Sequence, residues 1–185
     1  MAENGAEEQP VKARVVIGLG SNLGDRSAHL ATARRELEER GSFAFESCSS
    51  LYLSAPIGPD QPDYLNQVVI GSTSLTPRAL LEVCGEIETQ LGRDRTEVRW
   101  GPRTIDLDIL CHGETQLALP DLVIPHPECT RRRFVLVPWA EIDPDGIVPG
   151  VIDEHGVPRT IAELLSSLER GGDRGMVERW EEARS

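Results

Sequence analysis

The sequence has no long hydrophobic run. No apolar stretch approaches the roughly 20 residues that a helix needs to cross a bilayer. The first dozen residues, MAENGAEEQPVK, are acidic and lack the apolar segment of a secretory signal. These absences argue against a membrane partner and predict a cytoplasmic protein. We expect residues 1–12 to form a disordered tail.

Positive charge is also scarce. Lysine and arginine number 19 against 31 aspartates and glutamates, so the formal net charge is −12. An acidic chain repels polyanions at long range, which argues against nucleic acid as a partner. A small anion can still bind where several arginines lie together, because their local charge then overcomes the overall field.

Common site motifs are missing as well. The four cysteines contain no CxxC pair that could form a zinc or redox site, which predicts free buried thiols. In GLGSNLG, Leu23 stands where the dinucleotide fingerprint needs glycine, and the Gly-Lys pair of a Walker A loop is absent. The segment is instead typical of a glycine-rich turn that ends a strand, with Ser21 and Asn22 hydrogen-bonded to the turn itself.

What the sequence does contain is an alternation of helical and extended patterns. Up to residue 111 the predicted order is strand, helix, strand, strand, helix, strand, over residues 14–19, 25–40, 43–53, 64–73, 76–91 and 104–111. This order is typical of an α+β fold, the ferredoxin-like βαββαβ core, with helices on one face of the sheet and active-site loops on the other. We expect one domain over residues 13–170.

Beyond residue 111 the patterns are weaker. Residues 117–127 contain three prolines and predict a loop. Residues 132–142 and 160–170 have the spacing of short helices. Residues 171–185 are expected to form a loosely ordered C-terminal segment.

The segment TIDLDIL places two carboxylates on one face of a strand. Side chains alternate at period two, so Asp106 and Asp108 point to one side, with Cβ atoms about 7 Å apart. Ile105, Leu107 and Ile109 point to the other side and belong to the core. The carboxylates repel each other, and Mg²⁺, which prefers few protein oxygens plus substrate phosphates, would relieve that repulsion. Such a pair alone is more often solvated charge, so the neighbouring residues decide.

Four arginines lie within eleven residues just before this strand, at Arg93, Arg95, Arg99 and Arg103. Guanidinium groups stay charged and bind phosphate oxygens in a fork. A solvated loop with local ion pairs would explain the arginines alone. However, WGPR joins them directly to the aspartates through a turn, and this combination favours a bound phosphate together with a metal. His126 and residues 131–133 are candidates for further phosphate contacts.

Tyr64 and Asn66 lie two residues apart on one face of a predicted strand. The tyrosine ring could stack on a flat ring, and the amide offers a donor and an acceptor to the edge of a heterocycle. A core tyrosine beside a satisfied asparagine explains the same pattern, so the pair alone does not establish a binding site.

Five segments together resemble a known family. They are IGLGSNLGD, SAPIGPDQPDYLNQVV, RWGPRTIDLDIL, IPHP and RRRFVLVPWAEI, and they span about Val15 to Asp143. In this order they resemble the 6-hydroxymethyl-7,8-dihydropterin pyrophosphokinases of folate synthesis. RWGPRTIDLDIL is the most specific, because it fixes an arginine, a turn and two alternating aspartates. The resemblance implies Mg²⁺-dependent transfer of the diphosphoryl group of ATP to the hydroxymethyl oxygen of the pterin, leaving AMP.

The resemblance also implies roles for individual residues. Asp106 and Asp108 would hold two Mg²⁺ ions, and Arg93 and Arg103 would close over the triphosphate. A wider set would bind ATP: Glu88, Arg95, Trp100, His126, Arg132 and the backbone near Ile109. A third set would bind the pterin, with the two aromatic rings on either side of it: Tyr64, Phe134, Asn66, Ser54, Ala55 and Ile57.

One residue departs from the family's pattern, and two other functions stay open. Thr96 occupies a position where some relatives have a second basic side chain, which would weaken binding of the triphosphate. A non-catalytic ferredoxin-like module that binds nucleotide and metal would share these features, and turnover would exclude it. A two-metal nuclease is disfavoured by the acidic composition. A monomer is the default expectation.

Overall fold

The computed structural model of the chain describes residues 12–93, 101–172 and 175–181. Within these residues it contains ten strands and four helices. In chain order they are β1 (Ala13–Ser21), α1 (Arg26–Arg40), β2 (Ala44–Cys48), β3 (Tyr52–Ser54), β4 (Tyr64–Thr73), α2 (Pro77–Gln90), β5 (Asp106–His112), β6 (Leu117–Leu119), β7 (Leu122–Ile124), α3 (Arg133–Ile142), β8 (Ile147–Ile152), β9 (Pro158–Thr160), α4 (Ile161–Arg170) and β10 (Val177–Arg179).

A six-stranded antiparallel sheet forms the centre of the fold. Its strand order is β10-β3-β4-β1-β5, and β2 pairs with β4 along the same edge as β3. β1 lies between β4 and β5, so that Gly18 is opposite Val68 on one side and Asp108 on the other. The acidic strand and β4 therefore flank the same central strand.

Helices cover both faces of the sheet. On one face α1 and α2 pack against Val15, Ile17 and Leu19 of β1. On the other face α3 and α4 pack against Val16 of β1 and Val68 of β4. The prediction of helices on one face only was wrong, because the chain after residue 112 supplies two amphipathic helices whose apolar sides need a second sheet surface.

The helices begin at local capping signals. Asp25 accepts a hydrogen bond from the Ala28 N–H at 3.0 Å, which caps α1. Thr76 caps α2 ahead of Pro77, and Thr160 forms a capping box at the start of α4. The predicted helices at 25–40, 76–91, 132–142 and 160–170 are confirmed to within a residue at each end. Among the described residues, no helix is long and apolar enough to cross a membrane.

Two predictions of extended and loop structure need correction. The predicted strand at 43–53 is two strands, because at Ser49 the side chain accepts the N–H of Val68 and the backbone carbonyl accepts the Gln67 amide, which interrupts the ladder. The predicted loop at 117–127 contains the hairpin β6–β7. Its Leu122 and Ile124 are buried in the core beneath α1 and α2, and burial of these side chains outweighs the turn signal of the prolines.

The C-terminal segment also differs from the expectation of loose order. β10 pairs with β3, with Val177 opposite Ser54. The Trp180 backbone N–H donates to the Leu51 carbonyl at 2.8 Å, and the tryptophan packs against the hydrophobic core on the face that α1 and α2 cover. A short strand with one hydrophobic anchor carries little periodic signal, so the sequence pattern did not reveal it. Residues 1–11 of the predicted tail lie outside the described residues.

Replacing Glu178 with proline should detach β10. Opposed residues alternate between bonded and non-bonded pairs, and since Trp180 bonds Leu51, the next bonded pair is Glu178 with Leu53. Proline removes that donor, and we expect unfolding to become easier by about 1–3 kcal/mol in thermal or urea melts. The matched control is Glu178→Ala, which keeps the N–H and should stay within about 0.5 kcal/mol of wild type. Equal stability of the two variants would contradict the pairing.

Candidate active site

A pocket opens on the face of the sheet that carries α3. Its walls come from β1, β4, β5, the loop after β3 and the start of α3. Ten residues predicted for the site line it: Ser54, Ala55, Ile57, Tyr64, Asn66, Arg103, Asp106, Asp108, Arg132 and Phe134. Residues that are up to 80 positions apart in the chain therefore meet in one cavity.

The floor of the pocket is formed where β1 has glycine. Gly18 and Gly20 lie on the pocket side of β1, directly opposite Asp108 and Asp106 of β5. A Cβ atom at Gly20 would lie 3.6 Å from both the Asn66 Oδ1 atom and the Tyr64 ring. The glycines thus leave the space between the two aspartates and β4 open. Glycine at alternate positions at the end of the predicted strand and just after it is a sequence signal that could have located this floor.

The two aspartates share one face of β5, as the alternation predicted. Both line the pocket. Leu107 and Ile109, which alternate with them, are buried in the hydrophobic core on the other face of the sheet. Asp106 is held on both oxygens: Arg93 Nη1 donates to Oδ1 at 2.6 Å, and Arg103 Nη1 donates to Oδ2 at 3.0 Å. Two of the four predicted arginines therefore meet the acidic strand.

Asp108 lies deeper, and among the described residues no arginine forms an ion pair with it like those of Asp106. Burial, and then the charge of Asp106, raises the pKa of Asp108 to about 7, and the charge of Arg132 opposes this shift. A carboxyl group in this position is costly to ionise without added positive charge. Its environment therefore suits a bound cation.

The donor set fits magnesium better than a metal that needs a full protein cage. Among residues 12–93, 101–172 and 175–181, no group of three or more His, Cys, Asp or Glu side chains could hold a metal ion. Two carboxylates at an open pocket are the number that Mg²⁺ commonly takes from a protein when phosphate oxygens and water complete its shell. Asp106 and Asp108 are the residues that would hold it.

The other end of the pocket suits a flat polar ring. Tyr64 and Phe134 contribute aromatic surfaces, and Asn66 is buried with its amide donating to Ser54 Oγ at 2.8 Å. Arg132 lies over the Phe134 ring, with Cζ 5.7 Å from the centroid. Ile57 is 55% exposed at the rim. The arrangement offers stacking surfaces beside an amide that can bond to a ring edge.

The remaining predicted residues are not in the pocket lining or lie outside the described residues. Glu88 is buried, ion-paired with Arg93, and accepts the Leu107 N–H at 2.9 Å. The Ile109 side chain belongs to the core, so only its backbone is placed near the site. Burial, and then the Arg132 charge, lowers the pKa of His126. Arg95, Thr96, Arg99 and Trp100 lie outside the described residues.

Asn22 was misassigned from the sequence. Its side chain does not bond its own turn but bridges to Arg103, Gln61 and Pro62. Ser21 Oγ, also predicted to bond the turn, is buried without a hydrogen-bond partner among the described residues. The turn leads straight into α1, and the Asn22 side chain bonds the neighbouring loops instead. Local spacing contains no signal for such a long-range contact.

Comparison with known proteins identifies the family. The family model for 7,8-dihydro-6-hydroxymethylpterin-pyrophosphokinase (HPPK) matches residues 16–144. The chain belongs to this family. The match includes both aspartates, Arg93, Arg103 and the aromatic residues of the pocket, so the HPPK region contains the whole candidate site.

Curated relatives agree with this assignment. A Synechocystis protein named 2-amino-4-hydroxy-6-hydroxymethyldihydropteridine pyrophosphokinase is 47% identical over 83% of this chain and 75% of its own length. A Methylorubrum extorquens protein of the same name is 43% identical over 86% of this chain and 96% of its own length. The similarity therefore extends over most of both HPPK relatives.

A solved structure supports the fold. A Plasmodium falciparum HPPK-DHPS structure superposes with a TM-score of 0.67 over 91% of this chain, at 16% sequence identity. This chain spans 46% of the length of that structure's chain. At such low identity the likeness concerns the fold alone. β8, β9, α4 and β10 lie beyond the HPPK family match, yet they complete the second face and the edge of the sheet.

Proposed function

We propose that this protein transfers the diphosphoryl group of ATP to the hydroxymethyl oxygen of 6-hydroxymethyl-7,8-dihydropterin, giving AMP and the pterin diphosphate for folate synthesis. One observation carries the proposal: in an HPPK-family chain, Asp106, which two arginines bind, and its neighbour Asp108 open into the same pocket as Tyr64, Asn66 and Phe134. Acidic, basic and aromatic groups in one cavity fit a substrate pair made of a polyphosphate and a heterocycle.

The two substrates would occupy opposite ends of the pocket. The pterin ring would lie between Tyr64 and Phe134, with its edge at Asn66 and at the backbone around Ser54, Ala55 and Ile57. The triphosphate would lie along Arg93, Arg103, Arg132 and His126, with Arg95 and Trp100 predicted to assist. The lowered pKa of His126 favours a neutral imidazole, which donates a hydrogen bond without adding charge.

The reaction requires alignment more than acid–base chemistry. The pterin oxygen forms a bond to the β-phosphorus and its O–H proton passes to solvent. The bond from that phosphorus to the oxygen of the α-phosphate breaks, and AMP leaves with the electron pair. Arg93 and Arg103 would neutralise charge on the phosphoryl oxygens. Two Mg²⁺ ions held by Asp106 and Asp108 would supply further charge neutralisation when bound.

Incubation with ATP, Mg²⁺ and the hydroxymethyl dihydropterin tests the function. We expect one AMP and one pterin diphosphate per turnover, measured by anion-exchange chromatography, and loss of both products when EDTA removes the metal. Omitting the pterin is the control for ATP hydrolysis. Release of ADP in place of AMP, or no pterin-dependent product, would overturn the proposal.

Several finer features belong to the same proposal. The order β3-β4-β1-β5, with α1 and α2 on one face, supports a ferredoxin-like core to which α3, α4 and β10 are added. A monomeric state and a cytoplasmic location stay predictions. Size-exclusion chromatography with light scattering would measure the first.

A further inference from the structure

Asn22 connects two parts of the pocket that come from distant parts of the chain. It follows β1 directly and is 2% exposed. Its Oδ1 atom accepts the Arg103 N–H at 2.7 Å. Its Nδ2 atom donates to Gln61 Oε1 at 3.0 Å and to the Pro62 carbonyl at 3.1 Å. The backbone N–H of Asn22 adds a bond to the Arg103 carbonyl at 3.1 Å. The oxygen and the nitrogen of one buried amide therefore bond two different segments of the chain.

The Arg103 side of this connection belongs to the acidic end of the pocket. The Arg103 side chain bonds Asp106, and the Arg103 backbone is fixed by Asn22 through two hydrogen bonds. With the backbone held, the guanidinium group has fewer positions to adopt, so it stays directed at Asp106.

The Gln61 and Pro62 side belongs to the heterocycle end. These residues end the loop that carries Ala55 and Ile57, and they lead into Tyr64, all three of which line the pocket. This loop has a second anchor, since Arg26 Nη1 donates to the Asp63 carbonyl at 2.8 Å. Among the described residues, Arg26 forms no hydrogen bond to Arg103, whereas Asn22 bonds both segments.

Only an amide side chain satisfies both partners at this length. Asparagine has an acceptor for Arg103 and donors for the two oxygens, whereas aspartate would set a carboxylate oxygen against the Pro62 carbonyl. A buried acceptor that faces another acceptor is destabilising, and more so when it is charged.

We propose that Asn22 is a positioning residue that fixes the distance between the attacking hydroxymethyl oxygen and the β-phosphorus. It does so by holding the Arg103 backbone at a constant distance from the loop of residues 55–63, here called the pterin loop. The inference rests on the proposed function. It predicts a specific kinetic effect, because a displacement of about 1 Å between reacting groups can lower turnover about 10²-fold without loss of binding.

The test compares Asn22→Asp, Asn22→Ala and Arg26→Ala with wild type. Both Asn22 variants should lower kcat by about 10- to 100-fold, with dissociation constants for a non-hydrolysable ATP analogue and for the pterin changed by less than about threefold. Arg26→Ala loosens the pterin loop alone, so it should raise the KM for the pterin and leave kcat near wild type. Circular dichroism at the assay temperature measures the folded fraction, and Asn22→Ala decides the question where the buried charge of Asn22→Asp prevents folding.

Three outcomes are distinguishable. Unchanged kcat per folded Asn22 variant, with only a lower unfolding temperature, would reduce Asn22 to a structural role. A loss confined to the pterin KM would make it a loop anchor equivalent to Arg26. Failure of the wild-type protein to release AMP would instead overturn the proposed function, and this inference with it.

Discussion

Replacing Asp108 with asparagine is expected to lower kcat by about 10³-fold. The substitution keeps the shape of the side chain but removes a charged ligand for the metal, and such charge stabilisation contributes several kcal/mol where about 1.4 kcal/mol equals a factor of ten. Asp108 faces the pocket, so the fold should persist. Steady-state AMP release at saturating substrates measures the effect.

Two controls distinguish a loss of catalysis from a loss of folding: the unfolding temperature of Asp108→Asn and the turnover of a surface variant. Burial and repulsion from Asp106 disfavour the ionised form of the Asp108 carboxyl group. The neutral amide of asparagine should therefore leave the unfolding temperature unchanged or raise it. Asp121→Asn, which removes an exposed partner of Arg78, should keep kcat within about twofold. Normal turnover of Asp108→Asn would exclude a metal role for this residue.

Removal of the Arg103 side chain should have the next largest effect. We expect Arg103→Ala to lower kcat by about 10²- to 10³-fold, because arginines that neutralise a phosphoryl transition state contribute at least this much. Arg103→Lys keeps the charge but loses the planar fork, so it should recover only part of the rate. The measurement is AMP release combined with titration of a non-hydrolysable ATP analogue.

The matched control is Arg78→Ala, which deletes an exposed guanidinium paired with Asp121. It should leave kcat within about twofold, since exposed pairs contribute little. Lysine at position 103 restoring the full wild-type rate would show that only net charge matters there. An equal loss in Arg78→Ala would show that the effect comes from the overall field of this acidic protein.

Local rules located the chemistry of the site but not its shape. The period-two alternation in TIDLDIL placed Asp106 and Asp108 on one face, and the structure has them there. The arginine turn next to them was visible because four cations within eleven residues stand out in a chain of net charge −12. The capping residues predicted where the helices begin, because each capping signal lies within three or four positions of the helix start that it stabilises.

Contacts between distant segments were not accessible in this way. Asn22 was expected to bond its own turn, yet it joins residues about 40 and 80 positions away. The edge strand β10, the hairpin β6–β7 and the second helical layer were also missed. In each case several arrangements satisfy the local pattern, and burial against the rest of the chain selects one.

The sequence by itself determined the family, the helices, the central strands and the pair of carboxylates with their neighbouring arginines, because each depends on residues close together in the chain. The tertiary structure decided which groups meet. It set glycines opposite the two aspartates, brought Arg132 and Phe134 of the α3 start over the pocket, and closed the edge beside Ser54 with β10. Those placements follow from the free energy of packing the whole chain, in which strand pairing and burial on both faces of the sheet are satisfied together.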